Sequence, residues 1–145
     1  MEAGGGLDGM RFHGPESATV VGMGFAIGAG ARWDRFSLVI RVTGASPLVP
    51  LPGLYALGLQ ARFAVASNVA LALGGGAALA VPLGTVTQAA GPSEFTGGGV
   101  VNAALRFTIW SGRRSLLQLP VECNYAKFRD GFDAQWIRVG LEWAR

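Results

Sequence analysis

Chemistry in this chain would have to come from a small set of ionisable residues set among small or apolar neighbours. Arg41, Arg62, Arg106, Arg138, Glu122 and Glu142 are the chief ones, with Arg11 and Arg32 in similar settings. Alternate residues of a strand share a face, which groups Glu122 with Gln118 and Asn124, and Arg106 with Asn102 and Thr108. Guanidinium and carboxylate groups taken out of water form charge-assisted, often bidentate pairs. A charge buried without a partner is costly, so Glu122 and Glu142 are each expected to bind one or more guanidinium groups. The inward arginines outnumber the inward glutamates about threefold. Water, backbone carbonyls or an anion must then satisfy the remaining donors.

Other chemistry has less to work with. His13 is the single histidine, with Glu16 and Ser17 just beyond it. That grouping is too common to specify a hydrolase, and a solvated loop histidine is the expectation. Cys123 is alone, so no internal disulfide exists, and one His and one Cys far apart make no metal set. The runs Gly74-Gly75-Gly76 and Gly97-Gly98-Gly99 lack a following Lys-Ser/Thr, so they are not phosphate loops. Neither enzyme activity nor a cofactor is expected.

The elements that position these residues are long strands. From Val69 to Leu83 the odd positions are Val69, Leu71, Leu73, Gly75, Ala77, Leu79, Val81 and Leu83, while the even ones are Ala, Gly or Pro. One face is therefore large and apolar, the other small, and neither carries charge. Gly53 to Ser67 sets Tyr55, Leu57, Leu59, Ala61, Phe63 and Val65 against Gln60 and Arg62. The same parity recurs in Thr19–Trp33, Phe36–Thr43, Val100–Trp110, Ser115–Ala126 and Ala134–Ala144. Met10 to Gly14 supplies a short eighth strand, with Met10 and Phe12 expected outward and Arg11 inward. Long strands with an uncharged apolar outer stripe predict an all-β fold, an eight-stranded antiparallel up-and-down transmembrane β-barrel.

Charge placement supports the membrane over water. The apolar faces hold no Asp, Glu, Lys or Arg, and a charge facing lipid at mid-depth costs roughly 2–4 kcal/mol in such barrels. A soluble barrel with the greasy face inward would turn rows of Gly and Ala to water, with few charges to keep it in solution. The chain has 145 residues, of which 14% are charged, and its length suits one domain. No run approaches the roughly twenty apolar residues of a spanning helix. The net charge of +3 does not point to nucleic acid, because the arginines alternate with apolar residues instead of forming a patch. The opening Met-Glu-Ala-Gly-Gly-Gly lacks the regions of a signal peptide, so a mature form with an added Met is expected.

Connection lengths alternate. Asp34-Arg35, Ser67-Asn68 and Ser111-Gly112-Arg113-Arg114 are hairpin-sized, whereas three of the four intervening links, Gly44 to Pro52, Gly84 to Gly97 and Lys127 to Asp133, are longer and the fourth, Pro15 to Ala18, is short. In bacterial outer-membrane barrels the periplasmic turns are the short ones, which predicts both termini in the periplasm. Trp33, Phe36, Trp110 and Trp143 then cluster at the short-turn side, and Tyr55, Tyr125, Phe128 and Phe132 at the other, as two interfacial girdles.

With these features the chain resembles the small eight-stranded outer-membrane barrels, the OmpA-like transmembrane domain and the OmpX-like group. The last strand, Ile137-Arg138-Val139-Gly140-Leu141-Glu142-Trp143, is similar to the C-terminal assembly signal of such proteins, although the chain ends Ala144-Arg145. Eight strands enclose an interior that side chains can fill. A plugged lumen is therefore expected, with long polar groups of one half reaching over the Gly and Ala of the other. The role expected is envelope structure or surface interaction by a monomer, with the bilayer as partner and residues 44–52 and 84–97 as contact loops. The alternatives are a small pore or a binder of hydrophobic or anionic ligands, and then a lipid-modifying enzyme.

Overall fold

The computed structural model describes residues 1–14, 17–48, 53–82, 95–129 and 131–145. Eight strands follow in chain order: β1 (Glu2–His13), β2 (Ser17–Trp33), β3 (Phe36–Pro47), β4 (Gly53–Ala66), β5 (Val69–Val81), β6 (Thr96–Ser111), β7 (Leu116–Phe128) and β8 (Asp133–Ala144). Each pairs antiparallel with its neighbour, and β1 pairs with β8, so the sheet closes into a barrel without a free edge. Paired partners followed round the barrel lead from Glu2 through Gly28, Arg41, Gly58, Gly76, Val100, Ala126 and Ala134 to Phe12. Position 12 thus meets the row that began at position 2, a stagger of ten residues, which tilts the strands against the axis.

Alternation sorts the side chains as a closed sheet requires. Leu7, Met23, Ile40, Leu57, Leu105 and Ile137 are exposed on the outside. Outward charges on the described strands are Arg11, Lys127 and Asp133, all close to the strand ends that lead into the β1–β2 and β7–β8 links. Short turns and both termini lie at the opposite end, where the Met1 amine donates to the Arg145 carbonyl at 2.9 Å. These are the loop end and the turn end below. Asp34 turns the β2–β3 hairpin at φ 42, a left-handed conformation that Asp tolerates better than most residues.

Several expectations are corrected. The first strand is not Met10–Gly14 but all of Glu2–His13, and Met10 and Phe12 point inward, nearly or fully buried, while Arg11 is exposed. Its Gly4-Gly5-Gly6 run has no side chains to alternate, so the parity could not be seen in the sequence. Register with β8 decides it, because Phe12 sits opposite the inward Ala134 and Asp8 opposite Arg138. Arg32 is also exposed, at the turn end, where its Nε donates to the Asp34 carbonyl at 3.4 Å. Phe128 and Phe132 are buried inside the barrel and belong to no girdle. Residues 44–47 continue β3 and 96–97 open β6. Of the two expected contact loops, 49–52 and 84–94 lie outside the described residues.

Candidate functional site

The barrel interior holds the charged groups. Among the described residues four arginines and four carboxylates are buried: Arg41, Arg62, Arg106 and Arg138 with Glu2, Asp8, Glu122 and Glu142. Five of the six charged residues expected inside meet in one network, through Glu2. The Arg41 guanidinium is central, with Nη1 on Glu122 and Nη2 on Glu142, and its Nε lies 3.4 Å from Glu2 Oε1. Glu142 also accepts from Arg106 Nη1 at 2.6 Å, so one carboxylate joins two guanidinium groups. Arg62 grips both oxygens of Glu2 at 2.5 and 2.6 Å, and its Nε donates to Gln60 Oε1 at 2.8 Å. Amide groups extend the network. Gln60 donates to Asn102 at 3.1 Å and Gln118 to Thr108 at 3.3 Å. Asn124, its amide turned to suit both partners, donates to Glu122 at 2.9 Å and accepts from Trp136 Nε1 at 3.2 Å.

Arg138 is the sixth, and it stands apart from the others. Its Nε and Nη2 hold Asp8 Oδ1 and Oδ2 at 3.0 and 3.2 Å, a side-on fork. The same guanidinium donates to the carbonyls of Phe25 at 2.9 Å and Gly44 at 2.7 Å. Gly24 makes this possible: a Cβ there would collide with Asp8 Oδ2 and Arg138 Nη2. The glycines of β2 therefore leave the space that β1 and β8 fill.

Glu2 and Asp8 went unread in the sequence, and with them the balance of interior charge. The excess of arginine came from counting Arg11 inward, from including Arg32, which sits at the open turn end, and from omitting two acids. The glycines at 22, 24 and 28 were the usable signal, since a bare inner row on β2 requires bulky inner groups on a neighbour.

Along the barrel axis the interior has two zones. Towards the loop end Met10, Phe12, Leu54, Phe128, Phe132 and Trp136 form an apolar layer, each at most 5% exposed. The Phe132 ring packs on Phe12 and Phe128 with centroids 5.9 and 5.2 Å apart. Towards the turn end a cavity of about 610 Å³ opens between Glu2, Arg62 and Arg106 at its floor and Arg32, Arg35, Arg113, Arg114 and Arg145 at its mouth.

Among the described residues no catalytic set assembles at His13. Its register partners are Ser17 and Asp133, but Asp133 Oδ2 accepts from the Tyr125 hydroxyl at 3.0 Å. The His13 side chain makes no hydrogen bond to either partner, and Glu16 lies outside the described residues. Cys123 is exposed on the outer face. No group of His, Cys, Asp and Glu among the described residues could hold a metal ion.

Fold and interior together define an eight-stranded barrel of the outer-membrane type. Neisserial surface protein A has a similar structure, with a TM-score of 0.62 and 18% identity over 97% of this chain and 94% of that one. Ail, the attachment invasion locus protein of Yersinia pestis, gives 0.61 and 13% over 98% and 95%. The N-terminal β-barrel domain of Pseudomonas aeruginosa OprF gives 0.51 and 14% over 97% and 96%. By sequence the chain matches no protein-family description and no curated protein.

Proposed function

We propose that this chain is a non-enzymatic, non-conducting barrel of the bacterial outer membrane that serves envelope structure or surface interaction. Its termini and short turns face the periplasm, and its longer links face outward as contact elements. The observation that carries this reading is the apolar layer of Met10, Phe12, Leu54, Phe128, Phe132 and Trp136 across the loop end. Ions do not cross close-packed apolar side chains, and below that layer the charged groups are tied to one another. The apolar outer face supports a lipid setting, since a water-soluble monomer rarely exposes so large an apolar surface. Two of the similar structures are those of a surface protein and an attachment invasion locus protein, which supports a surface role.

Planar-bilayer recording tests the closed lumen, and the intact barrel is expected to add no steady current to the bare bilayer. Selective, persistent current would overturn it. Replacing residues 84–94 by a short Gly-Ser linker tests the loops. The barrel should still fold, since loop length costs little stability, while cells displaying it should lose adhesion to a second cell surface. Unchanged adhesion would remove the loops from the reading.

A further inference from the structure

We propose that the barrel wall has a built-in lateral opening, the β7–β8 seam beside Pro120, where the two strands part within the bilayer. Ladder pairs between these strands reach Gln118 with Glu142 and resume at Val121 with Val139, while Leu119 and Pro120 have no partner on β8. On its other side β7 is continuous there, with Leu119 paired to Phe107 and Pro120 to Arg106. The register is the same on both sides of the gap, so the position opposite Pro120 is Gly140. Proline has no N–H to give, and the Gly140 carbonyl is left without its ladder donor. Among the described residues no side chain takes that donor's place. Proline within a sheet is otherwise confined to edge strands, first positions and bulges, and this closed sheet has no edge. In lipid no water replaces a missing backbone bond. The β2–β3 and β3–β4 ladders are continuous, and those of β4–β5 and β6–β7 only shift by a residue near the turn end.

Side chains do little to close the gap directly. The bonds from Asn124 to Trp136 and from Tyr125 to Asp133 join β7 to β8, but both lie on the loop side of it. At the gap Gln118 turns away to Thr108 of β6, and Glu142 turns to Arg41 and Arg106. Gly140 has no side chain to brace the seam, and its partner on β1 is Gly6. What ties the two strands at this level comes from across the lumen. Arg41 of β3 holds Glu122 of β7 with Nη1 and Glu142 of β8 with Nη2. Parting here therefore gives up fewer bonds between neighbouring strands than parting at a continuous ladder. A parted seam joins the bilayer to the charged interior at the level of Glu142 and Arg106, by a route that does not run along the barrel axis.

Amide hydrogen exchange of the refolded barrel, read residue by residue by NMR in maltoside micelles, tests the proposal. In this ladder the Gly140 and Glu142 amides still face the Pro120 and Gln118 carbonyls, so fast exchange there reports parting and not the missing bond. These two amides should exchange about tenfold or more faster than the mid-strand amides of β4 and β5, as expected of a locally opening element. Pro120→Ala supplies the absent N–H and should slow them to the level of β4 and β5, leaving those strands unchanged. Equal exchange at all seams of the unaltered barrel would overturn the proposal, and so would unchanged exchange in Pro120→Ala. Should that variant not fold, Leu119→Cys with Leu141→Cys, made together with Cys123→Ala, sets two thiols opposite each other across the gap on the outer face. Oxidation to the disulfide should then slow the Gly140 and Glu142 amides relative to the reduced form of the same variant. No difference between the two forms would equally overturn it.

Discussion

At the scale of single residues the interior is decided by which carboxylate holds how many guanidinium groups. Glu142 joins Arg41 and Arg106, whereas Glu122 joins Arg41 and the Asn124 amide. Removing one member of a buried pair leaves an uncompensated charge and costs about 3–5 kcal/mol. Glu142→Gln should therefore destabilise the refolded barrel by about that amount, and by more than Glu122→Gln, because it strips two cations instead of one. Urea unfolding in lipid measures both. Equal and negligible losses, below about 0.5 kcal/mol, would mean the arginines are solvated instead. Gly24 offers a second test of the same packing. Gly24→Ala introduces a Cβ against Asp8 and Arg138, and such overpacking should cost about 1–3 kcal/mol. A neutral Gly24→Ala would show that the fork can shift freely.

Strands are the next scale, and they differ in how openly the sequence declares them. The β5 segment alternates Leu and Val with Ala and Gly over its whole length, so its two faces could be assigned without a structure. The outer row there includes Leu71 and Leu73. Leu71→Arg should thus cost roughly 2–4 kcal/mol in a bilayer, as a charge facing lipid does at mid-depth. Ser17→Arg, on the outer face at the loop end of β2, should cost much less, because the charge reaches water there. Equal costs would mean that no lipid band surrounds the strands. The β1 strand declared itself poorly. Three consecutive glycines erase its alternation, and the remaining Met10 and Phe12 look like any apolar outer pair. Only pairing with β8 turns them inward, and pairing between the first and last strands is not a local property. Phe128 and Phe132 misled for a related reason. Aromatics near strand ends suit a girdle or a cap equally well, and the choice depends on their parity around the β7–β8 link. The acids were half legible: Glu122 and Glu142 could be placed from their own strands, but Glu2 and Asp8 depended on β1.

For the molecule as a whole, three surfaces share the work of one closed sheet. The outside is apolar between charged or polar strand ends, the interior balances four arginines against four carboxylates among the described residues, and the turn end is basic. A water-soluble barrel would reverse the first of these. The outer stripe facing lipid is thus the claim on which the others depend, and the chain carries its own probe for it. Cys123 is its single cysteine, exposed on the outer face and set between Ala103 of β6 and Ile137 of β8. A nitroxide attached there requires no substitution, and its collisions with oxygen and with a water-soluble nickel complex report which solvent surrounds it. In reconstituted vesicles the label should be relaxed strongly by oxygen and hardly by nickel. Strong relaxation by nickel and weak relaxation by oxygen would put water against the outer stripe and contradict the transmembrane barrel.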